Sequence, residues 1–278
     1  SRAARCDAEG VVSAKRLRPI FPKIKMSKTP IAVQLYSVRD DSARDFAATI
    51  QKVAEIGYEA VEFAGYHGYS AKDLRKLLDD NGLQCAGTHT GLPTILGDEL
   101  QKTAEFMAEL GSPFLIVPWV SPEEYGGREG AQKLGDILSA AQGEAAKFGA
   151  FVGYHNHAWE FKPVDDGGAI PMDIAFENAH PDVVCQIDTG NAQEGAGSPI
   201  PVLEKYRDRV KTVHLKPFAS DFSKYFVGED ETDWNGVFAA LEGGATQFYI
   251  VEQERYPEPH TPFDCIARCL KNLRAMGK

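Results

Sequence analysis

Acidic and imidazole side chains follow four successive apolar segments in the second half of the chain. The segments are VGYHNHAWEF, VVCQIDTGN, VKTVHLKP and FYIVEQE, and the side chains are His155, His157, Glu160, Asp188, His214 and Glu252. Histidines mixed with carboxylates suit Mn²⁺, Co²⁺, Zn²⁺ or Fe²⁺, whereas Ca²⁺ prefers oxygen ligands alone. The pattern therefore predicts one bound divalent metal, with Mn²⁺ as the favoured ion and Mg²⁺ as a further candidate.

A metal held by such residues could polarise a carbonyl or hydroxyl oxygen, while neighbouring side chains move protons to and from carbon. The residues expected to take part in catalysis are His155, His157, Lys216 and Glu252. Some of the candidate residues have a simpler interpretation, since Asp188 precedes the turn signal Thr-Gly, His214 could be a core histidine and Lys216 could be a solvated lysine. Their recurrence in consecutive units favours a shared metal, because otherwise all the simpler interpretations would have to hold together.

These segments belong to a repeated unit in which an amphipathic helix ends near a glycine and a short apolar run follows. The apolar runs predict eight strands, at Ile31–Ser37, Ala60–Phe63, Leu83–His89, Phe114–Pro118, Phe151–His157, Val183–Asp188, Val210–Leu215 and Phe248–Glu252. Helical patterns separate them, at Ala43–Ile56, Ala71–Asp80, Glu99–Leu110, Gly130–Phe148, Ile170–Asn178, Pro201–Asp208, Trp234–Glu242 and Pro262–Met276.

Alternating strands and helices predict parallel strand pairing through right-handed crossovers. Repeated over about 250 residues, such units indicate an α/β fold of the (β/α)₈ TIM barrel type, in one domain over residues 29–278. An open doubly wound sheet is the alternative. That fold usually carries a glycine-rich turn after its first strand, whereas QLYSVRDDSARD contains no glycine.

In such a barrel the active site lies at the carboxyl ends of the strands. The residues expected there as substrate contacts are Gln34, Glu62, His89, Trp119 and Asn191. Aromatic side chains such as Trp119 could stack on the C–H face of a sugar ring. No glycine-rich phosphate loop is evident, so the sequence does not favour a phosphorylated sugar.

Charge is distributed unevenly along the chain. The first 25 residues carry seven Lys or Arg and two Asp or Glu, a net +5, which leaves −15 for the rest of a chain whose total is −10. We expect residues 1–28 to form a basic, disordered extension that lacks the apolar core of a secretory signal. The acidic remainder argues against nucleic-acid binding, and no apolar run is long enough for a membrane span. Five scattered cysteines without a CxxC motif favour a reducing, cytoplasmic compartment.

At QLYSVRD, YHNHAWEF, QIDTGNA, VHLKP and IVEQE the chain resembles the xylose isomerase-like barrel superfamily of sugar isomerases and epimerases. That superfamily also contains inosose dehydratase, keto-sugar lyases and endonuclease IV-type enzymes. The resemblance covers roughly residues 30–276 and implies a sugar substrate and a homodimer or homotetramer. It also implies one metal held by Glu, Asp, His and Glu of strands 5 to 8, the last three being Asp188, His214 and Glu252 here.

The fifth strand departs from the family pattern, because His155 occupies the position where the family often has glutamate. Either His155 binds the metal or Glu160 replaces it. We favour Glu160, which would preserve the charge of the site and leave a histidine free to move protons. His155 and His157 are two residues apart, so we expect both to face the barrel interior.

The resemblance implies a metal-dependent isomerase or epimerase that acts on a keto sugar through an enediolate. The histidines of the fifth strand weaken the family's epimerase mechanism, in which two metal-bound glutamates act on opposite faces of the substrate. The alternative is therefore a lyase of the inosose dehydratase type, or one that eliminates from 3-keto glycosides. An endonuclease-like enzyme and a non-catalytic sugar-binding barrel are weaker alternatives, the former because of the acidic charge.

Overall fold

The computed structural model describes residues 28–278, and these residues form a closed barrel of eight parallel strands that follow one another in chain order. The first strand also pairs with the eighth, so the sheet has no free edge. The strands are β1 (Ile31–Gln34), β2 (Ala60–Ala64), β3 (Gln84–His89), β4 (Phe114–Val117), β5 (Phe151–His155), β6 (Val184–Asp188), β7 (Thr212–Leu215) and β8 (Phe248–Val251). The predicted single-domain (β/α)₈ fold is confirmed.

Helices cover the outside of the strands and bury the large apolar core between the two layers. They are α1 (Arg39–Arg44), α2 (Phe46–Ile56), α3 (Ala71–Asp80), α4 (Gly97–Leu110), α5 (Pro122–Tyr125), α6 (Arg128–Ala145), α7 (Pro171–Asn178), α8 (Thr189–Ala196), α9 (Ile200–Tyr206), α10 (Trp234–Leu241) and α11 (Pro262–Ala275). None of the helices within the described residues is long and apolar enough to cross a membrane.

Local signals explain several helix ends. Ser70 begins α3 by accepting a hydrogen bond from the backbone of Asp73, and Thr261 forms a capping box with Asp264 at α11. Gly57 and Gly111 end α2 and α4 with φ of 103° and 75°, a backbone conformation that other residues rarely adopt. These caps determine where each helix begins or ends, and therefore where the chain returns to the barrel.

Strands β1, β5 and β7 are at least two residues shorter than predicted, and α1, α5 and α8 were not predicted as separate helices. The chain leaves β1 at Gln34, whose side chain accepts a hydrogen bond from the Tyr36 backbone and starts a 3₁₀ turn. Strand β5 ends at His155, two residues earlier than predicted. Helix α8 was missed because Asp188-Thr-Gly resembles a turn, yet Asp188 caps this helix through the Asn191 backbone. The predicted extension lies outside the described residues except for position 28.

The inside of the barrel changes character along the strands. An apolar layer, part of the buried core, consists of Ala32, Ala60, Ala86, Phe114, Ile116, Val184, Phe248 and Ile250. Further toward the carboxyl ends lies a polar layer, made of Gln34, Glu62, Gln186 and Thr212, all fully buried. Side chains two apart on a strand face the same side, so the apolar layer supports the polar one directly.

Candidate metal centre

Four titratable side chains meet at the carboxyl ends of β5 to β8. This group, called the metal cluster below, consists of His155, Asp188, His214 and Glu252. One ligand atom from each lies within 4.8 Å of the others, and the four side chains are almost completely buried. Asp188 Oδ2 lies 3.9 Å from His155 Nε2 and 4.0 Å from His214 Nδ1, while His214 Nδ1 lies 3.3 Å from Glu252 Oε2.

The donor atoms fit a bound cation. Donors held at about 2.0–2.2 Å from one ion lie at most about 4.4 Å apart, and the three measured separations fall within that limit. Asp188 Oδ1 accepts the backbone hydrogen of Asn191 at 2.7 Å, but its Oδ2 is buried without a hydrogen-bond partner. A buried carboxylate oxygen without a partner is costly, and a cation would supply the missing interaction.

The charges around the cluster are unbalanced. Among the described residues in this part of the barrel, Glu62, Asp188 and Glu252 supply three buried carboxylates, whereas Lys216 supplies one buried ammonium group, beside Asp188 and Glu252. Lys216 Nζ lies 2.5 Å from Glu254, 3.5 Å from Glu252 and 3.8 Å from Asp188. With neutral histidines, the buried groups therefore carry an excess of two negative charges, which one divalent ion would cancel.

The metal-free cluster holds protons instead. Burial raises the pKa of Asp188 to about 7, against the opposing effect of Lys216. Burial favours neutral His214, but the carboxylates of Glu62 and Glu252 outweigh it and raise the pKa of His214 to about 10. A metal must therefore displace protons from Asp188 and His214, and its affinity will depend on pH.

Beneath the metal cluster, Glu62 of β2 is the centre of a hydrogen-bond network. Its carboxylate accepts hydrogen bonds from Gln34 Nε2 and Gln186 Nε2, both at 2.7 Å, and lies 2.6 Å from His214 Nε2. Although burial opposes ionisation, His89 and His214 lower the pKa of Glu62. Gln186 Oε1 in turn lies 2.7 Å from His89 Nε2 and 3.0 Å from His155 Nδ1. The two histidines of the metal cluster are thus both anchored from below.

Comparison with known proteins agrees with this architecture. The family model described as "Xylose isomerase-like TIM barrel" matches residues 50–273, most of the chain. The chain belongs to the xylose isomerase-like TIM barrel family. The resemblance predicted from the sequence motifs is therefore confirmed.

Several proteins similar to this xylose isomerase-like barrel are named enzymes. The chain is 27% identical to an inosose dehydratase of Geobacillus kaustophilus over 72% of this chain and 72% of that protein. It is 23% identical to an inosose dehydratase of Clostridium beijerinckii, over 91% of this chain and 97% of that protein. A solved sugar phosphate isomerase/epimerase of Parabacteroides distasonis shares the fold with a TM-score of 0.79 and 22% identity, over 91% of this chain and 96% of that one.

In this xylose isomerase-like barrel, Glu160 lies outside the metal cluster, contrary to the assignment favoured from the sequence. Its carboxylate accepts hydrogen bonds from the Tyr154 hydroxyl at 2.6 Å and from the backbone of His157 at 2.8 Å. Tyr154 precedes the inward-facing His155 and therefore points out of the barrel, which draws Glu160 away from the interior. His155, at the end of β5, is instead the fourth member of the metal cluster.

His157 lies at the mouth of the site and not in the cluster. Its side chain is 35% exposed, and its ring centre lies 5.4 Å from that of His155. Its Nδ1 is buried without a hydrogen-bond partner, 3.8 Å from Glu160 Oε1. The two rings thus lie side by side, but only His155 belongs to the metal cluster, since β5 ends at His155 and His157 lies at the mouth.

Of the five predicted substrate contacts, two are fully buried and three are at least partly exposed. Gln34 and Glu62 are fully buried in the polar layer, so their positions correct the expectation that they touch substrate. His89 has a side chain that is 10% exposed, and Trp119 is 53% exposed in the loop after β4. The side chain of Asn191 donates to the backbone oxygen of Asn156. Trp119 is therefore the most accessible of the five.

Sequence reasoning missed Gln186, the residue that connects Glu62 to the histidines. A signal was present, because Gln186 interrupts the apolar strand VVCQID and lies two residues before Asp188. Side chains two apart share a strand face, so Asp188 facing the interior implies that Gln186 does as well. A glutamine fully buried on a strand needs hydrogen-bond partners, which the neighbouring strands supply.

Proposed function

We propose that this protein is a divalent-metal-dependent lyase that eliminates water or an alcohol from the carbon β to a carbonyl group of a sugar or cyclic polyol. The observation that carries the proposal is the composition of the cluster, with His155 at the end of β5 and Glu160 directed elsewhere. Relatives named inosose dehydratase, at 27% and 23% identity, support the same reaction class.

His155, Asp188, His214 and Glu252 would hold the metal, for which Mn²⁺ remains our choice. When bound, the metal polarises the substrate carbonyl and so acidifies the adjacent C–H bond. The ammonium group of Lys216, held by Glu254 and Glu252, adds a fixed positive charge beside the cluster. Although burial opposes its charged state, Asp188 and Glu252 raise the pKa of Lys216, which therefore stays protonated.

His157 is the residue best placed to move the proton, because its ring is partly exposed while the cluster histidines are buried. With the ring hydrogen on Nδ1, which lies 3.8 Å from the carboxylate of Glu160, the lone pair of Nε2 would be free for the substrate. His157 takes the proton from the α carbon, and the C–H electron pair becomes the new double bond as the β C–O bond breaks. The same proton then passes from His157 to the departing oxygen, which leaves as water or an alcohol.

The isomerase or epimerase predicted from the sequence is the alternative. Epimerisation by two bases needs a second carboxylate where the family often has glutamate, and His155 stands there. The distinction can be measured on one set of reactions. The Mn²⁺-loaded protein is incubated in D₂O with keto sugars, keto inositols and 3-keto glycosides, and the products are followed by NMR and mass spectrometry.

Loss of water or release of the aglycone from any of these substrates is the expected result. Solvent deuterium in an unbroken sugar, without elimination, would instead establish epimerisation and overturn the proposal. The variant His157→Gln should retain metal and lose elimination, whereas His180→Gln, at an exposed loop histidine, should behave as the wild type. Wild-type activity in His157→Gln would remove this residue from the mechanism.

A further inference from the structure

The polar layer determines more than the packing beneath the site. We propose that Glu62 and Gln186 are positioning residues that fix which ring nitrogen of His214 and of His155 is free to bind metal. The inference rests on the proposed metal centre, but it concerns residues that touch neither substrate nor metal. It follows from which atoms in the network can donate and which can only accept.

The first half of the network sets the ring of His214. Gln34 Oε1 accepts the backbone hydrogen of Tyr36 at 3.1 Å, so the other end of this amide, Nε2, must donate to Glu62. His214 Nε2 also meets Glu62 Oε2, at 2.6 Å, and a carboxylate can only accept. His214 therefore keeps hydrogen on Nε2 and directs Nδ1 toward the cluster.

The second half sets the ring of His155 through one amide. Gln186 Nε2 donates to Glu62 Oε1 at 2.7 Å and to Thr212 Oγ1 at 2.9 Å, which turns Gln186 Oε1 toward His155. That oxygen accepts from His155 Nδ1 at 3.0 Å, so hydrogen resides on Nδ1. The bare Nε2 of His155 then lies on the side of Asp188 Oδ2, 3.9 Å away.

Both histidines are thus prepared for a metal, through different nitrogens. His214 presents Nδ1 and His155 presents Nε2, and neither choice is left to the free exchange of protons between ring nitrogens. Partners that orient ligand histidines in this way typically change metal affinity by about 10–100-fold. Glu62 and Gln186 are fully buried, so solvent cannot replace their hydrogen bonds.

The network predicts the effect of replacing one acceptor of Glu62 by a donor. In Glu62→Gln, a single amide oxygen would replace two carboxylate oxygens that now meet Gln34, Gln186 and His214. The new amide nitrogen would face Gln186 Nε2, and two donors cannot pair. Gln186 would have to turn over, presenting its nitrogen to His155 Nδ1 and moving the hydrogen of His155 to Nε2.

The protonated nitrogens can be read directly in the metal-free protein by long-range ¹H–¹⁵N NMR of labelled imidazole rings. The expected result for the wild type is hydrogen on Nδ1 and none on Nε2 of His155. In Glu62→Gln the hydrogen is expected on Nε2. A wild-type His155 with its hydrogen on Nε2 would overturn the proposal.

Metal affinity gives the second readout, measured as Zn²⁺ competition against a chelator. Gln186→Met retains side-chain length but removes the amide, and the affinity should fall by about 10–100-fold. The matched control is Gln142→Met, at a buried glutamine whose oxygen accepts the Val152 backbone hydrogen outside the barrel interior. This control should lose stability, but its Zn²⁺ affinity should stay within about twofold of the wild type.

The two experiments separate the possible failures. Wild-type protein that binds no Zn²⁺ would refute the metal centre itself, whatever the state of the rings. Zn²⁺ binding that Gln186→Met leaves unchanged would refute the positioning role alone. If Gln186→Met does not fold, Thr212→Val removes only one acceptor of the same amide and should weaken Zn²⁺ binding in the same direction by a few-fold.

Discussion

The two ends of the barrel interior are built from the same strands, but one end buries apolar side chains and the other buries charged ones. On β2 the inward residues change from Ala60 to Glu62, and on β8 from Ile250 to Glu252. Burial of the apolar layer away from water stabilises the folded state, and none of its side chains needs a hydrogen-bond partner. The metal cluster is equally buried but carries charges that the surrounding protein only partly compensates.

The apolar layer is therefore expected to contribute mainly to the stability of the fold, and the metal cluster mainly to metal binding and catalysis. Removing atoms from a packed apolar layer leaves a cavity, whereas removing charge from a buried cluster can be neutral or stabilising. We therefore expect substitutions in the apolar layer to change the free energy of unfolding with little effect on metal affinity. Substitutions in the metal cluster should do the reverse.

The largest effect is expected from Asp188→Asn. The amide oxygen can still accept the Asn191 backbone hydrogen and cap α8, but the charge that the metal needs is gone. Activity should fall on the order of 10⁴-fold, or ~5.5 kcal/mol in activation free energy. The free energy of unfolding of the metal-free protein should not decrease by more than ~1 kcal/mol, since Asp188 Oδ2 has no hydrogen-bond partner to lose and Lys216 keeps Glu252 and Glu254.

Steady-state rates and chemical denaturation of the metal-free protein test both parts. Asp182→Asn, an exposed aspartate before β6, is the control and should change neither quantity. An Asp188→Asn protein that is fully active, or one whose metal-free form is much less stable, would contradict the contrast between the two ends.

Phe114→Ala tests the apolar layer. Phe114 is fully buried at the start of β4, and replacing a buried phenylalanine by alanine lowers the free energy of unfolding by about 3–5 kcal/mol. Zn²⁺ affinity at a temperature where the variant is folded should stay within about threefold of the wild type. A larger loss of affinity would show that the apolar layer also shapes the metal cluster.

The pH dependence of metal affinity is the next effect in size. Metal needs Asp188 and His214 without their cluster-facing protons, and their pKa values are raised to about 7 and about 10. Affinity should therefore rise by up to about 100-fold per pH unit below 7, by about tenfold per unit between 7 and 10, and level off above. Calorimetry in buffers of different ionisation enthalpy would count the protons released, and none released at pH 6 would contradict this assignment.

Much of this site could be predicted from the sequence because a closed parallel barrel gathers the carboxyl ends of its strands. Asp188 ends β6 and His214 lies near the end of the adjacent strand β7, so their proximity follows from the fold alone. The residue that β5 contributes to the metal cluster could not be chosen in this way. Whether Glu160 turns inward depends on the path of the chain after His155 and on the hydroxyl of Tyr154, which no spacing rule includes.

The polar layer was harder to predict for a different reason. Glu62 and Gln186 are separated by 124 residues, and they meet only because closure brings their strands to opposite sides of one narrow interior. Sequence spacing reports which face of a strand a residue occupies, but not the level at which distant strands align. Glu62 was therefore expected to touch substrate, although it lies beneath the ligands.

The smallest predicted effect concerns the boundary between the two ends, at Gly153 on β5. A Cβ atom there would lie 2.5 Å from Ile116 Cδ1 and 2.8 Å from Val184 Cβ, both in the apolar layer. Gly153→Ala should therefore lower the free energy of unfolding by about 1–3 kcal/mol. Because His155 follows two residues later, Zn²⁺ affinity should also fall, by less than about tenfold. The control Gly143→Ala has open space in helix α6 and should instead gain up to ~1 kcal/mol. If the two variants had the same stability and the same Zn²⁺ affinity, close packing at Gly153 would affect neither the apolar layer nor the metal cluster.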